Sequence, residues 1–176
     1  MRLTFSTSHY RNADLCDEQG RRVYTIHTPS LFSGKTTITK HSGGFFGRAG
    51  SSEVIAVIEW HRLRGTKIHF RGQVNKANDI LTRGRWSTSD RHFIGPDGRP
   101  YKWKLRSNTL NCVNSRTELA KFHKRNFGLM SRSHAPYLDI SPSVTHMLDY
   151  IVTTFVYVEK LSQDKRNEAA ASAAGA

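Results

Sequence analysis

Short runs of alternating or β-branched residues, separated by turn residues, dominate the first 140 residues of the chain. Alternation with a period of two is the pattern of strands, whose successive side chains point to opposite faces of a sheet. Asp17–Gly20 and Gly95–Gly98 carry the Asp and Gly residues of tight turns. Many short strands at this spacing predict an antiparallel sandwich or barrel. The predicted strands are Leu3–Phe5, Asp14–Cys16, Val23–Thr28, Thr36–Lys40, Val54–Trp60, Lys67–Phe70, Asp79–Leu81, His92–Ile94, Tyr101–Leu105, Asn111–Val113, Leu119–Phe122 and Tyr137–Ile140.

Three runs combine this alternation with positive charge. Lys67–Arg71, Tyr101–Arg106 and Lys121–Arg125 each alternate basic residues with apolar or aromatic ones. Because neighbouring side chains of a strand face opposite sides, the cations are expected on one face of the sheet and the apolar residues on the other. The apolar set that this pattern assigns to the core is Ile68, Phe70, Tyr101, Trp103, Leu105 and Phe122.

The net charge of +13 is concentrated in the middle of the sequence. Residues 60–132 contain 17 Lys or Arg and only 4 Asp or Glu, and the segments on either side are nearly neutral. A strongly basic surface attracts nucleic acid, anionic membrane or another acidic partner. We therefore predict an anion-binding outer face of the sheet. Its candidate residues are Arg83, Arg85, Arg91, Arg99, Lys102, Lys104, Lys121, Lys124 and Arg125.

The sequence changes character after residue 140. Ser141 followed by Pro142 is typical of a helix N-cap and first turn. Residues Met147–Leu161 would be apolar on nearly every side of a helix, which predicts a buried central helix near 142–161. The β-branched run Tyr150–Val158 keeps a strand as the alternative.

Length and composition predict a single folded unit. A chain of 176 residues is of the size of one domain, so residues 1–161 are expected to form one β-barrel domain around its helix. Residues 162–176 are polar and then Ala-rich, which predicts a frayed or disordered tail. The apolar helix is too short for a membrane span, and the start of the chain lacks a signal peptide.

Nearly the whole chain resembles an uncharacterised fungal family of short proteins that carry a domain of unknown function. The predicted order of this chain, strands followed by one apolar helix, is similar to the layout of the Tubby-like, LURP-one and phospholipid scramblase group. The residues that carry the family resemblance are Gly20, Tyr24, Ile58–Trp60, Gly95–Trp103, Leu138–Ile140 and Met147–Lys160.

The likeness to the Tubby group implies a closed antiparallel β-barrel of about twelve strands around the hydrophobic C-terminal helix. Tubby domains also imply recognition of phosphoinositide headgroups by basic surface residues. No position of this chain matches their lipid-binding motif, so the resemblance assigns no binding residue.

Charge and resemblance together predict a non-enzymatic module that recognises anionic membrane lipid headgroups. Nucleic-acid binding by the same face is the alternative, with Trp86 as a stacking residue. A small basic nuclease is a third hypothesis, in which His27, His41 and Lys35 would supply a base, an acid and a cation. Location is expected to be intracellular, either cytoplasmic or peripheral at a membrane.

Other motifs point to no cofactor. Ser33–Thr37 is similar to the end of a phosphate-binding P-loop, but Pro29 replaces the required glycine and a β-branched run replaces the required helix. The two cysteines and nine histidines show no metal-ligand spacing, so we predict neither a nucleotide nor a metal site. The Gly-rich loop around Phe45 and Phe46 is expected to fold its aromatic rings back onto the sheet.

Overall fold

The structure is a computed structural model that describes residues 1–29, 34–43, 50–61, 65–84, 89–126 and 134–175. Within these ranges, thirteen strands precede a long C-terminal helix. The strands are β1 (Arg2–Phe5), β2 (Ala13–Cys16), β3 (Arg22–His27), β4 (Lys35–Ser42), β5 (Ser51–Glu59), β6 (Lys67–Phe70), β7 (Gln73–Lys76), β8 (Thr82–Arg83), β9 (Arg91–Ile94), β10 (Pro100–Lys104), β11 (Thr109–Cys112), β12 (Glu118–His123) and β13 (Tyr137–Ile140). The helices are α1 (Ala77–Ile80), a 3-10 helix (Pro142–Met147) and α2 (Leu148–Ala174).

All thirteen strands belong to one antiparallel sheet in the order β7-β6-β5-β4-β3-β2-β1-β13-β12-β11-β10-β9-β8. The sheet is open, because β7 and β8 lie at its two ends and do not pair with each other among the described residues. The predicted closed barrel of about twelve strands is therefore wrong. The mainly β fold, its antiparallel pairing and the C-terminal helix are confirmed.

Helix α1 connects β7 to β8, the two end strands of the sheet. The predicted strand Asp79–Leu81 is wrong, since this part of the chain forms the helical turn Ala77–Ile80, with Ala77 and Leu81 buried. Asn and Asp are poor strand formers, which favours the turn. Only Thr82–Arg83 forms a strand after this turn, and among the described residues it pairs with β9 and not with β7.

The alternation in the sequence correctly predicts which side chains face inward. Tyr101, Trp103 and Leu105 are buried, and so are Ile68 and Phe122. The sixth predicted core residue, Phe70, is partly buried and packs against the same core. Lys104 and Arg106, which alternate with this set, are exposed.

Helix α2 is the centre of the core, and the sheet curves around it. Ile151 to Glu159 are all buried, which confirms the predicted buried helix and excludes the strand alternative. The indole Nε1 of Trp103 on β10 donates to Thr154 Oγ1 at 3.0 Å. On the other side, the Trp60 ring stacks on Tyr157 with centroids 6.2 Å apart. The helix thus contacts strands from both halves of the sheet.

The ends of the C-terminal segment differ from the predicted range 142–161. Ser141 caps the 3-10 helix, its side chain accepting a hydrogen bond from the Ser143 amide, and α2 begins only at Leu148. Helix α2 then continues to Ala174, with exposed side chains from Lys165 onward. Lys165 Nζ donates to Ser89 Oγ at 2.9 Å, and Arg166 pairs with the buried Glu159 at 2.9 Å. Fraying of the tail stays a prediction.

Candidate anion-binding surface

The outer face of β9, β10 and β11 carries a row of basic and polar side chains. Lys102 on β10 lies opposite His92 on β9 and opposite Asn111 on β11. Two residues further along β10, Lys104 lies opposite Thr109. Because Trp103 between them points into the core, both lysines face away from it.

The row surrounds a hollow of about 300 Å³ whose lining includes Lys102, Lys104, Asn111 and Arg116. Arg116 lies in the turn between β11 and β12, where its φ of 56° is in the left-handed region. The Asn111 side chain is buried at the floor of the hollow, and its Nδ2 donates to the Arg116 carbonyl at 3.4 Å. Two lysines, an arginine and an amide therefore line one concave site, as is expected of an anion-binding pocket.

The charges of this site are not neutralised by neighbouring acids. Lys102, Lys104 and Arg116 form no ion pair with any described acidic side chain. Burial and the charge of Lys102 lower the pKa of His92, so this imidazole stays neutral near pH 7 and adds no charge. The positive potential of the hollow therefore depends on the two lysines and the arginine.

Two aliphatic side chains flank the basic row. Ile94 on β9 is 64% exposed and pairs with Pro100 on β10, two residues from Lys102. Val113 follows β11, is 37% exposed and lines the hollow, and its amide donates to the Pro100 carbonyl at 3.0 Å. Exposed Ile and Val beside cations form a mixed apolar and basic surface, which we call the β9–β11 surface: Ile94, Lys102, Lys104, Arg116 and Val113.

The structure does not bring all nine predicted residues to this surface. Arg91 is only 3% exposed and donates to the carbonyls of Ser89 and Asp90 on its own segment. Arg83 is exposed but belongs to the end strand β8. Arg99 is exposed in the turn before β10. Arg85 lies outside the described residues.

The three predicted residues of β12 and its end are also apart from the hollow. Lys121 lies opposite Asp139 and pairs with Glu118 at 3.9 Å, so acidic neighbours offset its charge. Burial lowers the pKa of Lys124, and its neighbour Glu159 on α2 opposes this effect. Arg125 is exposed beyond the end of β12. Of the nine, Lys102 and Lys104 line the hollow.

Arg116, Val113 and Ile94 are the residues that sequence reasoning missed. A usable signal exists for Arg116, because Asn114–Thr117 is a turn between two predicted antiparallel strands and must return the chain beside β10 and β11. Ile94 has the strand parity of His92, and Val113 has that of Asn111, so an outward assignment of His92 and Asn111 would have placed both aliphatic residues outside as well.

The other constellations are separated by the fold. Lys35 begins strand β4 and pairs with Glu59 at 2.8 Å, so no helix follows it as a P-loop requires. His41 lies on the same strand, six residues beyond Lys35, a distance of about 20 Å in an extended strand. The predicted nuclease trio with His27 is therefore not assembled. Trp86, Phe45 and Phe46 lie outside the described residues.

The hollow contains no ligand set for a metal. Across the described ranges, no group of three His, Cys, Asp or Glu side chains is placed to hold a metal ion. The hollow is lined by one thiol, Cys112, and its other polar side chains carry ammonium, guanidinium and amide groups, which donate to anions.

The comparisons with known proteins agree with part of the resemblance. A family of unknown function, DUF6593, matches residues 8–164. The chain belongs to this family. The comparisons with curated proteins and with solved structures give no match for this DUF6593 chain. Its link to the Tubby group is not confirmed, the described residues do not form the closed barrel that this link implies, and a fungal origin stays a prediction.

The helices of the DUF6593 chain were also compared with the requirements of a membrane span. Among the described residues, none combines the length and the apolarity needed to cross a bilayer.

Proposed function

We propose that this DUF6593 protein docks on anionic membrane lipid headgroups through the β9–β11 surface. The observation that carries the proposal is the convergence of Lys102, Lys104 and Arg116, without acidic partners among the described residues, on a hollow of about 300 Å³. A basic residue near an anionic leaflet contributes about 1 kcal/mol, and salt screens this contribution.

The exposed aliphatic residues favour a membrane over a nucleic acid. Ile94 and Val113 flank the cations on the same face, where they can enter the boundary between headgroups and acyl chains. Single-stranded nucleic acids are instead bound by aromatic stacking platforms next to cations. On the described parts of β9 and β10, the aromatic rings of Phe93, Tyr101 and Trp103 face inward and are buried.

The first test removes two charges from the hollow. We expect Lys102→Gln with Lys104→Gln to weaken binding to phosphatidylcholine vesicles that contain a phosphoinositide by about 30-fold, the equivalent of about 2 kcal/mol. Co-sedimentation at low salt measures this effect. Lys67→Gln with Lys76→Gln is the matched control, because these exposed lysines pair across β6 and β7 and carry the same charge.

Three outcomes of this experiment would overturn the proposal. Equal binding of the unaltered protein to neutral and anionic vesicles would exclude headgroup recognition. An equal loss in both double variants would show an effect of net charge alone. A shift of RNA or DNA in low-salt gels that requires Lys102 and Lys104, without vesicle binding, would replace the lipid by a nucleic acid.

The second test concerns the apolar part of the surface. Ile94→Ser should leave binding at low salt nearly unchanged but should remove the part of vesicle binding that survives high salt, because insertion of an apolar side chain is not screened. The measurement is a salt titration of vesicle binding. Val54→Ser on β5 is the control, since Val54 is similarly exposed but lies outside the β9–β11 surface. Equal salt sensitivity of both variants would contradict a role for Ile94.

A further inference from the structure

Four polar side chains form a continuous chain of hydrogen bonds across the outer face of β2, β3, β4 and β5. They are Asp14, Thr25, His41 and Ser52, one from each strand. Strand register brings them together, because Asp14 lies opposite Thr25 and His41 lies opposite Ser52. Strands β1, β13 and β12 separate this set from the β9–β11 surface, so it is a distinct site.

The distances define the path of the hydrogen bonds. Thr25 Oγ1 lies 2.6 Å from Asp14 Oδ1 and 2.8 Å from His41 Nε2. The other ring nitrogen, His41 Nδ1, lies 2.9 Å from Ser52 Oγ. Arg22 approaches the second oxygen of Asp14 at 3.6 Å and leaves Oδ1 to the threonine.

The donors and acceptors can be assigned from this geometry. A carboxylate only accepts, so the single hydroxyl proton of Thr25 is donated to Asp14. Thr25 Oγ1 then accepts from His41 Nε2–H. The remaining nitrogen of a neutral imidazole, Nδ1, is an acceptor and takes the hydrogen bond from the Ser52 hydroxyl. Each group therefore orients the next, from Asp14 to Ser52.

This order is that of an activated nucleophile. A hydroxyl in hydrogen-bond reach of an imidazole base, which a third group orients in turn, is the general arrangement of serine nucleophiles. The Asp14 carboxylate orients the Thr25 hydroxyl, and the Thr25 oxygen, by accepting from His41 Nε2–H, stabilises the imidazolium that forms when His41 takes a proton. Ser52 is also exposed, so a reagent can reach Oγ.

We infer that Ser52 is a nucleophilic site that reacts with acyl esters and related electrophiles. Ser52 Oγ bonds to the carbonyl carbon while His41 Nδ1 takes the hydroxyl proton. The ester bond to the leaving oxygen then breaks, and that oxygen takes the proton from His41, which gives an acyl-serine and a free alcohol. Water attacks the acyl-serine in the same way, releases a carboxylic acid and restores Ser52.

The test uses a fluorophosphonate probe on the full chain, with the labelled peptide located by mass spectrometry. Ser52 Oγ bonds to phosphorus, fluoride leaves, and His41 takes the serine proton. We expect labelling at Ser52, its loss in Ser52→Ala, and a rate lower by about 100-fold in His41→Gln, which keeps a polar side chain but is no base. Ser51→Ala is the matched control, because Ser51 is an exposed serine on the same strand and lies opposite Ser42, whereas Ser52 lies opposite His41.

The rate of labelling at Ser52 also tests whether Thr25 positions His41. Thr25→Val should slow labelling at Ser52 because it breaks the chain between Asp14 and His41, and Thr25→Ser should restore it because it keeps the hydroxyl. Thermal melting of each variant checks folding. Equal labelling of Ser51 and Ser52, or an unchanged rate in His41→Gln, would show that the four side chains only connect strands. These outcomes are independent of vesicle binding.

Discussion

Replacement of Phe155 by alanine is expected to lower the free energy of unfolding by about 3–5 kcal/mol. The Phe155 ring lies on α2 at the centre of the core and contacts rings from distant parts of the chain. Ring centroids lie 4.8 Å away for Phe122, 5.8 Å for Phe5, 6.2 Å for Trp103 and 6.4 Å for Tyr10. The four neighbouring rings cannot all move into the space of the lost phenyl group, so a cavity remains. The loss in free energy of unfolding is therefore at the upper end of the range for truncations of core side chains.

Urea denaturation followed by tryptophan fluorescence measures this loss of stability. The control is Val54→Ala, because Val54 is 56% exposed and its truncation should change the free energy of unfolding by no more than about 0.5 kcal/mol. A loss below about 1 kcal/mol for Phe155→Ala would mean that α2 is not the element around which the sheet packs.

Inward and outward facing residues could be predicted from the sequence because the side-chain period of a strand is two. Trp103 and Leu105 alternate with Lys104, and this local alternation does not depend on the order of the strands or on closure of the sheet. Burial of α2 was predictable for a similar reason, since apolar residues all round a helix must be covered by other elements. These features require no knowledge of which strands are neighbours.

Closure of the sheet could not be predicted in the same way. Whether a barrel closes depends on the lengths and register of its end strands, and here β8 has only two residues after the turn of α1. The sequence at Asp79–Leu81 contains the apolar residues Ile80 and Leu81, which alone do not distinguish a buried turn from a short strand.

The candidate sites depend on contacts between residues far apart in sequence. Arg116 joins Lys102 through the hairpin of β11 and β12, and Ser52 meets His41 through the register of β4 and β5. A shift of one residue in that register would turn Ser52 to the other face of the sheet. The excess of Lys and Arg in the sequence therefore predicts an anionic partner. The pairing of strands decides which of these side chains share a site.

Asp149, at the start of α2, connects the core helix to Lys40 on β4 and to Arg71 in the turn between β6 and β7. Its buried carboxylate accepts from the Tyr24 hydroxyl at 2.6 Å and lies 2.9 Å from both Lys40 Nζ and Arg71 Nη2. Burial by itself would raise the pKa of Asp149, but the hydrogen bonds from Tyr24, Lys40 and Arg71 outweigh it and hold this pKa below the ordinary value of 3.8.

Asp149→Ala should therefore lower the free energy of unfolding near neutral pH by about 2–3 kcal/mol, because the Tyr24 hydroxyl loses its buried acceptor and two cations lose their partner. A carboxyl whose pKa is depressed by folding stabilises the folded state above its unfolded pKa, and this contribution disappears as pH falls through the lower folded value. The difference between the unaltered protein and Asp149→Ala should thus be constant well above pH 3.8 and shrink below it.

Urea denaturation of both proteins over a range of pH measures this difference. Asp164→Ala is the matched control, since Asp164 pairs with Lys160 on the same helix but is 43% exposed, and loss of such a surface pair costs less than about 1 kcal/mol. A difference for Asp149→Ala that does not depend on pH would show that the variant loses packing rather than a charged partner. A loss no larger than that of Asp164→Ala would mean that the carboxylate does not hold α2 to the strands, and that the packing of Phe155 and the other core contacts of α2 fix the helix in the sheet.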